Sequence, residues 1–430
     1  LPLPMPVLFL GDLGLDGSIK KIQGVLPLVL CARAQGIKVC VVPEENQREG
    51  AMAEGIFCIG RKDLQETVEF FHQWIEAGGG EEFLKCMDMR GKCKNTEEDR
   101  LKKAVYEKEK TGMDFADIKG QRIPRRAIEI AVSGHHNLLM TGPPGSGKTA
   151  LAQRIPTIMP ALTPEESLGL TKIYSVKGLL PDDGKVMTKR PFRAPHHTVT
   201  TAAMAGGGKN AAPGEISLAD KGILFLDELP EYNRYTLEVM RQPLEEGKVV
   251  IARNQRSCVY PADFMLVAAM NPCPCGYFPD RKKCFCTERQ IRCYQGRISG
   301  PLLDRIDLMV RVNPISYEEF RNGKAGESSK EIQKRVEQTR KVQRERFTNE
   351  NYRFNSQMNQ KGLERYCKLS ENGEKQIEEL FAKYELSVRG YGRILKLART
   401  IADMEGKEQI EESHLCEAAV FRMGWEYEKI

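Results

Sequence analysis

The chain is predicted to be an α/β protein, with a parallel sheet under helices at its centre, a smaller α/β region before it and a helical region after it. Three observations lead there. Between Asp114 and about Pro314, short apolar strands are each followed by a helical stretch, the pattern of a mostly parallel sheet covered by helices. One of these strands runs through a glycine-rich turn at 142–149 straight into a helix. From Ser316 onward the apolar periodicity is helical throughout.

The elements follow in order. Residues 1–84 alternate strand-like and helix-like pieces: Val7 to Leu10, Gly24 to Gln35, Lys38 to Pro43, Phe57 to Gly60 and Leu64 to Ala77. Residues 85–112 are strongly charged (Lys92, Lys94, Glu97, Glu98, Asp99, Arg100, Lys102, Lys103) and suit a solvated linker or an exposed helix. The central domain spans 113–315. The helical domain spans 316–430, with Ile377, Leu380, Phe381 and Tyr384 on one apolar stripe and Ile394, Leu397, Ala398 and Ile401 on another.

Composition agrees with several folded domains. A length of 430 residues corresponds to about two to four domains, and 41% hydrophobic with 29% charged residues excludes wholesale disorder. The most apolar window, Gly24 to Ala34, contains Pro27 and Arg33 and falls short of the ~18 apolar residues a bilayer helix needs, so no membrane association is expected. Leu1 to Leu10 has neither a basic leader nor a cleavage site. Residue 1 is Leu, so the chain is expected to begin inside a longer protein. A net charge of +6 permits a polyanionic partner without requiring one. Of 13 cysteines, five fall within Cys273 to Cys293, which points to a reducing cytoplasm and a local metal site rather than disulfides.

The strand Asn137 to Thr141 leads into Gly142, Pro143, Pro144, Gly145, Ser146, Gly147, Lys148 and Thr149, and then into the helical Ala150 to Ile155. Such a loop lets backbone amides converge on phosphate oxygens, while Lys148 supplies a point charge and Thr149 a Mg²⁺ ligand. A second strand, Gly222 to Leu226, ends at Asp227 and Glu228: one carboxylate to hold hydrated Mg²⁺, the next to polarise the attacking water. A third, Phe264 to Met270, ends in Asn271, a side chain suited to orienting that water; on its own it reads equally as a strand-end cap. Together these residues read as a Mg²⁺-dependent ATP hydrolase.

In these features the chain resembles an AAA+ ATPase, and more closely the magnesium-chelatase-like ComM/YifB family. The matches are Arg190 to Thr198, Pro213 to Ser217, Leu226 to Glu231 and Gly300 to Asp307. The resemblance implies an AAA+ P-loop core with a helical lid, assembled as a homo-hexameric ring. It makes Arg305 an arginine finger reaching the γ-phosphate of a neighbouring subunit, and Arg389 a second sensor arginine. Read from sequence alone, either arginine also fits a surface partner of Asp304, Asp307 or Glu385. By the same resemblance the ring moves on single-stranded or branched DNA, with branch migration or helicase activity in recombination during bacterial transformation. The alternative is a magnesium-chelatase-type motor that remodels a protein partner.

Lys248 to Tyr260 alternates as a hairpin with Arg253, Asn254, Gln255 and Arg256 at its tip. In the resembling motors such a hairpin grips nucleic acid in the pore, making Arg253 and Arg256 candidate phosphate contacts; a solvated turn is the other reading. Lys189 to Lys209 reads as a second insert, structural or DNA-facing, with Lys209 a further DNA candidate; His196 and His197, without nearby Cys partners, make a poor metal site. Cys273, Cys275, Cys284 and Cys286 form two pairs whose thiolates would close on structural Zn²⁺ and brace the loop after Asn271, with Cys293 a substitute ligand; free cytosolic thiols are the alternative. The front region, Gly11 to Ser18, Gly24 to Ala32 and Gly36 to Asn46, resembles part of a Lon-protease-like (S5 domain 2-like) domain. That resemblance aligns the Lon catalytic lysine with Leu26, so no base exists for a Ser/Lys dyad and proteolysis is not expected.

Overall fold

Residues 3–87, 112–181, 185–208, 210–253, 256–315, 317–322 and 326–423 are described by a computed structural model, with 253, 256, 320 and 322 described by backbone alone. Most of the expected charged linker therefore lies outside the described residues. Two units emerge, one drawn from 1–109, 161–189 and 208–213, the other from 110–160, 190–207 and 214–430. This division differs from the contiguous one expected from sequence. The segments 161–189 and 208–213 fold with the front unit, and the C-terminal helices share a unit with the central sheet.

In the front unit, β1 (Val7–Phe9), β2 (Val39–Pro43) and β3 (Phe57–Arg61) form a parallel sheet in that order, with helices α1 (Val25–Ala34) and α2 (Leu64–Glu76). Every residue of β2 is buried because both faces are covered, which explains its unbroken apolar run. Cys40 and Val42 pack with Val25, Leu26 and Val29 of α1. Val39 and Val41 pack with Phe70, Phe71 and Trp74 of α2. Asp63 caps α2 by accepting the Glu66 amide at 2.7 Å. The first turn of α1 has no cap of its own at Gly24, and Glu49 serves instead, accepting the Leu26 amide at 3.0 Å. The helix Pro164–Lys177 belongs to this unit; its Ser175 hydroxyl donates to the same Glu49 carboxylate at 2.5 Å. Leu26, the position aligned with the Lon lysine, is fully buried in this core.

The second unit begins with α3 (Arg122–Gly134), β4 (Leu138–Thr141), α4 (Lys148–Arg154) and β5 (Phe192–Arg193). Next come β6 (Ile223–Leu226), the hairpin β7 (Lys248–Arg253) and β8 (Arg256–Pro261), then β9 (Met265–Met270), α5 (Glu288–Gln295) and β10 (Leu308–Arg311). The sheet is wholly parallel in the order β10-β4-β9-β6-β5, so β9 separates the phosphate-loop strand from the acidic strand. Gly222 permits the edge pairing, since a Cβ there would lie 2.1 Å from the Pro191 carbonyl oxygen.

The helices that follow are α6 (Ser329–Arg346), α7 (Gln360–Tyr366), α8 (Glu371–Lys383), α9 (Val388–Met404) and α10 (Glu412–Met423). Ser328, Asn359, Ser370 and Ser387 cap the first four, each accepting a first-turn amide. Helices α6 and α9 both pack against α3, which merges the helical core with that of the sheet. Ile394, Leu397, Ala398 and Ile401 are fully buried, as expected for that stripe. The other stripe is narrower than expected. Ile377 and Leu380 are buried and Tyr384 packs partly against the core, but Phe381 is 44% exposed, in T-shaped contact with Tyr391.

A buried polar knot ties α6 to α9. Asp403 accepts Arg346 at 2.5 Å, Arg399 at 2.9 Å and the Asn355 amide at 2.8 Å. Arg399 is 1% exposed. Asp403→Ala removes the one carboxylate these two cations share, leaving Arg399 only the Lys407 and Glu408 carbonyls, so urea unfolding should show a loss of about 3–5 kcal/mol. A loss below about 1 kcal/mol would mean the arginines find other acceptors.

Candidate nucleotide site

The site is assembled where β4, β6 and β9 end side by side. Gly142 donates its amide to the Met270 carbonyl at 3.2 Å, which ties the start of the phosphate loop to the end of β9. Only glycine fits there, because a Cβ would come 2.2 Å from the Val312 carbonyl oxygen. Gly145 and Gly147 hold φ of +73° and +92° with open space where a side chain would stand, leaving a cradle over the start of α4. The Ser146 hydroxyl is buried without a hydrogen-bond partner, a polar atom suited to an incoming oxygen.

Lys148 is 8% exposed and its ammonium donates to the carbonyls of Gly142 at 2.7 Å and Pro143 at 3.0 Å, and to Asn271 Oδ1 at 3.2 Å. Burial pushes its pKa below the ordinary lysine value, opposed by Asp227 and Glu228. Thr149 donates its hydroxyl to Asp227 Oδ2 at 2.7 Å, so the expected pair of Mg²⁺ ligands is already adjacent. Glu228 sits in the left-handed region at φ 52°, costly for a non-glycine residue and common where a side chain must be aimed. Its carboxylate is 58% exposed and 3.6 Å from His197 Nδ1. His197 lies against His196, with ring centroids 4.0 Å apart, and meets Tyr232 edge-on. Sequence reasoning gave this His pair a structural or DNA-facing role and missed the contact with Glu228, since nothing in the local sequence joins His197 to the end of β6.

These parts match the chemistry of bound Mg²⁺-ATP. Loop amides and Lys148 fit the phosphates, Thr149 and Asp227 fit the cation, and Glu228 is free to take a proton from water. When bound, Mg²⁺ neutralises the charge on the transferring phosphoryl group.

The remaining expected residues are more dispersed. Arg305 is tied within its own chain: its guanidinium donates to the Pro301 carbonyl at 2.6 Å and pairs with Glu245, and its side chain is 12% exposed. Its acid partner is thus none of those considered from sequence; Asp304 and Asp307 lie near Arg393 instead, at 3.6 and 3.9 Å. Arg389 is exposed on the first turn of α9, beside the Ser387 cap. The expected hairpin is present as β7 and β8, with Arg253 opposite Arg256, but the side chains of both, residues 254–255 and Lys209 lie outside the described residues. In the second insert, Arg190 donates to the carbonyls of Pro160 and Lys221, both at 2.6 Å, and Arg193 grips Glu215 at 2.7 and 2.8 Å. Both therefore have structural work.

The sulfurs of Cys273, Cys275, Cys284 and Cys286 lie within 4.8 Å of one another. Cys293 is exposed and outside the cluster.

A phosphate loop on β4, paired acids on β6 and a polar residue ending the intervening β9 define a P-loop ATPase core of the AAA+ kind. Residues 114–320 match the family described as magnesium chelatase, subunit ChlI, and residues 326–422 match its C-terminal part. Residues 3–46 match the family described as subunit ChlI of Mg-chelatase. Competence protein ComM of Haemophilus influenzae is 37% identical over 96% of this chain and 77% of its own length. YifB of Escherichia coli is 36% identical over 96% of this chain and 76% of its own. The magnesium-chelatase 67 kDa subunit of Chlorobaculum tepidum is 25% identical over 47% of this chain and 27% of its own. The chain belongs to the magnesium-chelatase-like ComM/YifB family. Membership implies ATP and Mg²⁺ as ligands and points to ATPase activity and oligomerisation. Among the described residues, no helix is long and apolar enough to cross a membrane.

Proposed function

We propose that the chain is the motor of a cytoplasmic, Mg²⁺-dependent ATPase ring, a homo-hexamer, that moves on DNA during recombination of incoming strands. The observation that carries the hydrolytic part is the convergence of Lys148 on Asn271 and of Thr149 on Asp227, with Glu228 beside them. The DNA task rests on identity to a competence protein along nearly the whole chain. In this reading Lys148 and the loop amides hold the phosphates, Asp227 and Thr149 hold Mg²⁺, and Glu228 polarises water that Asn271 orients. Arg305 reaches a neighbouring subunit, Arg389 senses nucleotide from the lid, and the four clustered cysteines hold structural zinc. Residues 1–84 are part of a Lon-like domain in which Leu26 takes the place of the catalytic lysine.

The deciding experiment is steady-state ATP hydrolysis with and without single-stranded and branched DNA. Turnover should rise several-fold with DNA. Arg253→Ala with Arg256→Ala should weaken DNA binding and reduce the slope of log affinity against log salt by about 2, one for each lost phosphate contact, with basal hydrolysis unchanged. Turnover indifferent to DNA, together with an unaltered salt slope, would remove the DNA motor. The matches to magnesium chelatase favour one second reading, a motor that remodels a porphyrin-binding protein, and turnover dependent on such a partner would select it.

A further inference from the structure

We infer that the four clustered thiols hold one thiophilic divalent cation of the zinc class, and that the resulting knuckle clamps the phosphate loop, so that metal and nucleotide binding are linked. The inference deepens the ATPase reading and rests on it.

The thiols fit such an ion. Four sulfurs 2.3 Å from a tetrahedral zinc stand about 3.8 Å apart. Here Cys273 lies 3.3 Å from Cys275 and 3.7 Å from Cys284, and Cys275 lies 3.5 Å from Cys284. The donor set is wholly sulfur, which favours zinc over magnesium or calcium. The Phe278 amide points at Cys273 Sγ at 3.4 Å, the kind of outer contact that orients a metal thiolate.

The segment also needs a staple. Between the end of β9 and the start of α5 the chain has no regular helix or strand, and its apolar core is Cys273, Phe278, Cys284 and Ile291. Such a core is too small to hold a loop of this length by burial alone.

What the staple would hold is the nucleotide site. Asn271, two residues before Cys273, receives the Lys148 ammonium at 3.2 Å. Gly276, between the thiol pairs, presses its backbone on the phosphate loop: a Cβ there would stand 2.5 Å from Pro144 Cδ. The second pair leads directly into α5, capped by Thr287, and Gln295 at its far end donates to the Pro272 carbonyl at 3.1 Å. The knuckle is thus closed at both ends around the segment that bears on Lys148 and Pro144. An ion that fixes it fixes the cradle, and by reciprocity nucleotide must favour the ion.

The test uses the full chain. Elemental analysis should find one zinc per chain, and cobalt substitution should give the d–d and charge-transfer bands of a tetrahedral thiolate site. Stripping the metal should weaken binding of a fluorescent ATP analogue in Mg²⁺ by about tenfold, and saturating analogue should raise zinc affinity against a chromogenic chelator by the same factor. Gly276→Ala keeps every thiol but pushes on Pro144; it should bind zinc normally and ATP about tenfold more weakly. That variant decides the matter if stripped protein unfolds. Absence of zinc and of cobalt bands in folded protein overturns the site. Zinc binding with ATP affinity unchanged in Gly276→Ala overturns the clamp. Lys148→Ala is the control: it should lose nucleotide and keep zinc, and if it keeps nucleotide the phosphate-loop reading fails while the metal result stands.

Discussion

Glu228→Gln is expected to lower ATP turnover by about 10²–10⁴-fold while leaving ATP affinity within about twofold of the parent. The amide keeps the size of the side chain and can keep its place beside His197, but it cannot accept the proton that water must lose. The groups proposed to hold nucleotide are elsewhere, on Lys148, the loop backbone and the Thr149–Asp227 pair, and keep their hydrogen bonds in the variant. Glu228 is also the one of the two acids with reach. Asp227 is engaged by Thr149 and by the Glu228 amide at 3.0 Å, whereas the Glu228 carboxylate is more than half exposed on a backbone turned into the left-handed region. Single-turnover hydrolysis beside equilibrium binding separates the two effects. A turnover within tenfold of the parent would move the proton to another acceptor and sink the assignment.

The residues of this site differ in how far the sequence discloses them, and distance along the chain is the reason. The phosphate loop is contiguous, so its glycines, Lys148 and Thr149 announce strand, turn and helix at once. Asp227 and Glu228 are legible because an apolar strand immediately precedes them. The contact of Lys148 with Asn271 joins positions 123 residues apart and depends on β9 inserting between β4 and β6, an order that no local pattern encodes. The partner of Arg305 was equally hidden, since Glu245 lies 60 residues away while nearer acids are engaged by Arg393. The compact units differ from the contiguous division read in the sequence for a related reason. The helix Pro164–Lys177 looks local to the ATPase segment, yet its Ser175 is held by Glu49, 126 residues earlier.

That hidden layer also explains how distant parts of the site are held in register. Asn137 donates its side-chain amide to the Arg305 carbonyl at 2.8 Å, and its own amide donates to Asp307. His136 bridges Asp307 at 3.3 Å and Thr400 of α9 at 2.8 Å. Burial opposes ionisation of Asp307, but the His136 hydrogen bond and nearby cations hold its carboxyl below the usual range, so it remains an anionic acceptor. From Thr400 the contacts continue through Asn355 to Asp403. The Arg305 carbonyl, the root of the phosphate-loop strand and the helix bearing Arg389 are therefore joined by one run of part-buried and buried polar contacts.

Arg305→Ala is expected to lower turnover of the assembled protein by about 10³-fold or more, with ATP affinity little changed. Within the chain, the guanidinium is engaged by Pro301 and Glu245 rather than by any phosphate-loop residue, so the proposed finger would act on a neighbouring subunit's nucleotide. A finger acts on charge that develops during transfer, which is why it affects turnover more than binding. Complementation isolates this from a folding defect. Glu228→Gln subunits lack the acid but keep the finger, and Arg305→Ala subunits have the reverse. Each alone should be nearly inactive. Mixed in equal amounts and reassembled, they should recover about a quarter of parental turnover, since a working interface needs an intact acid from one side and an intact finger from the other. Mixed rings that form without recovering turnover, or Arg305→Ala rings that turn over like the parent, would show that Arg305 serves only its contact with Glu245.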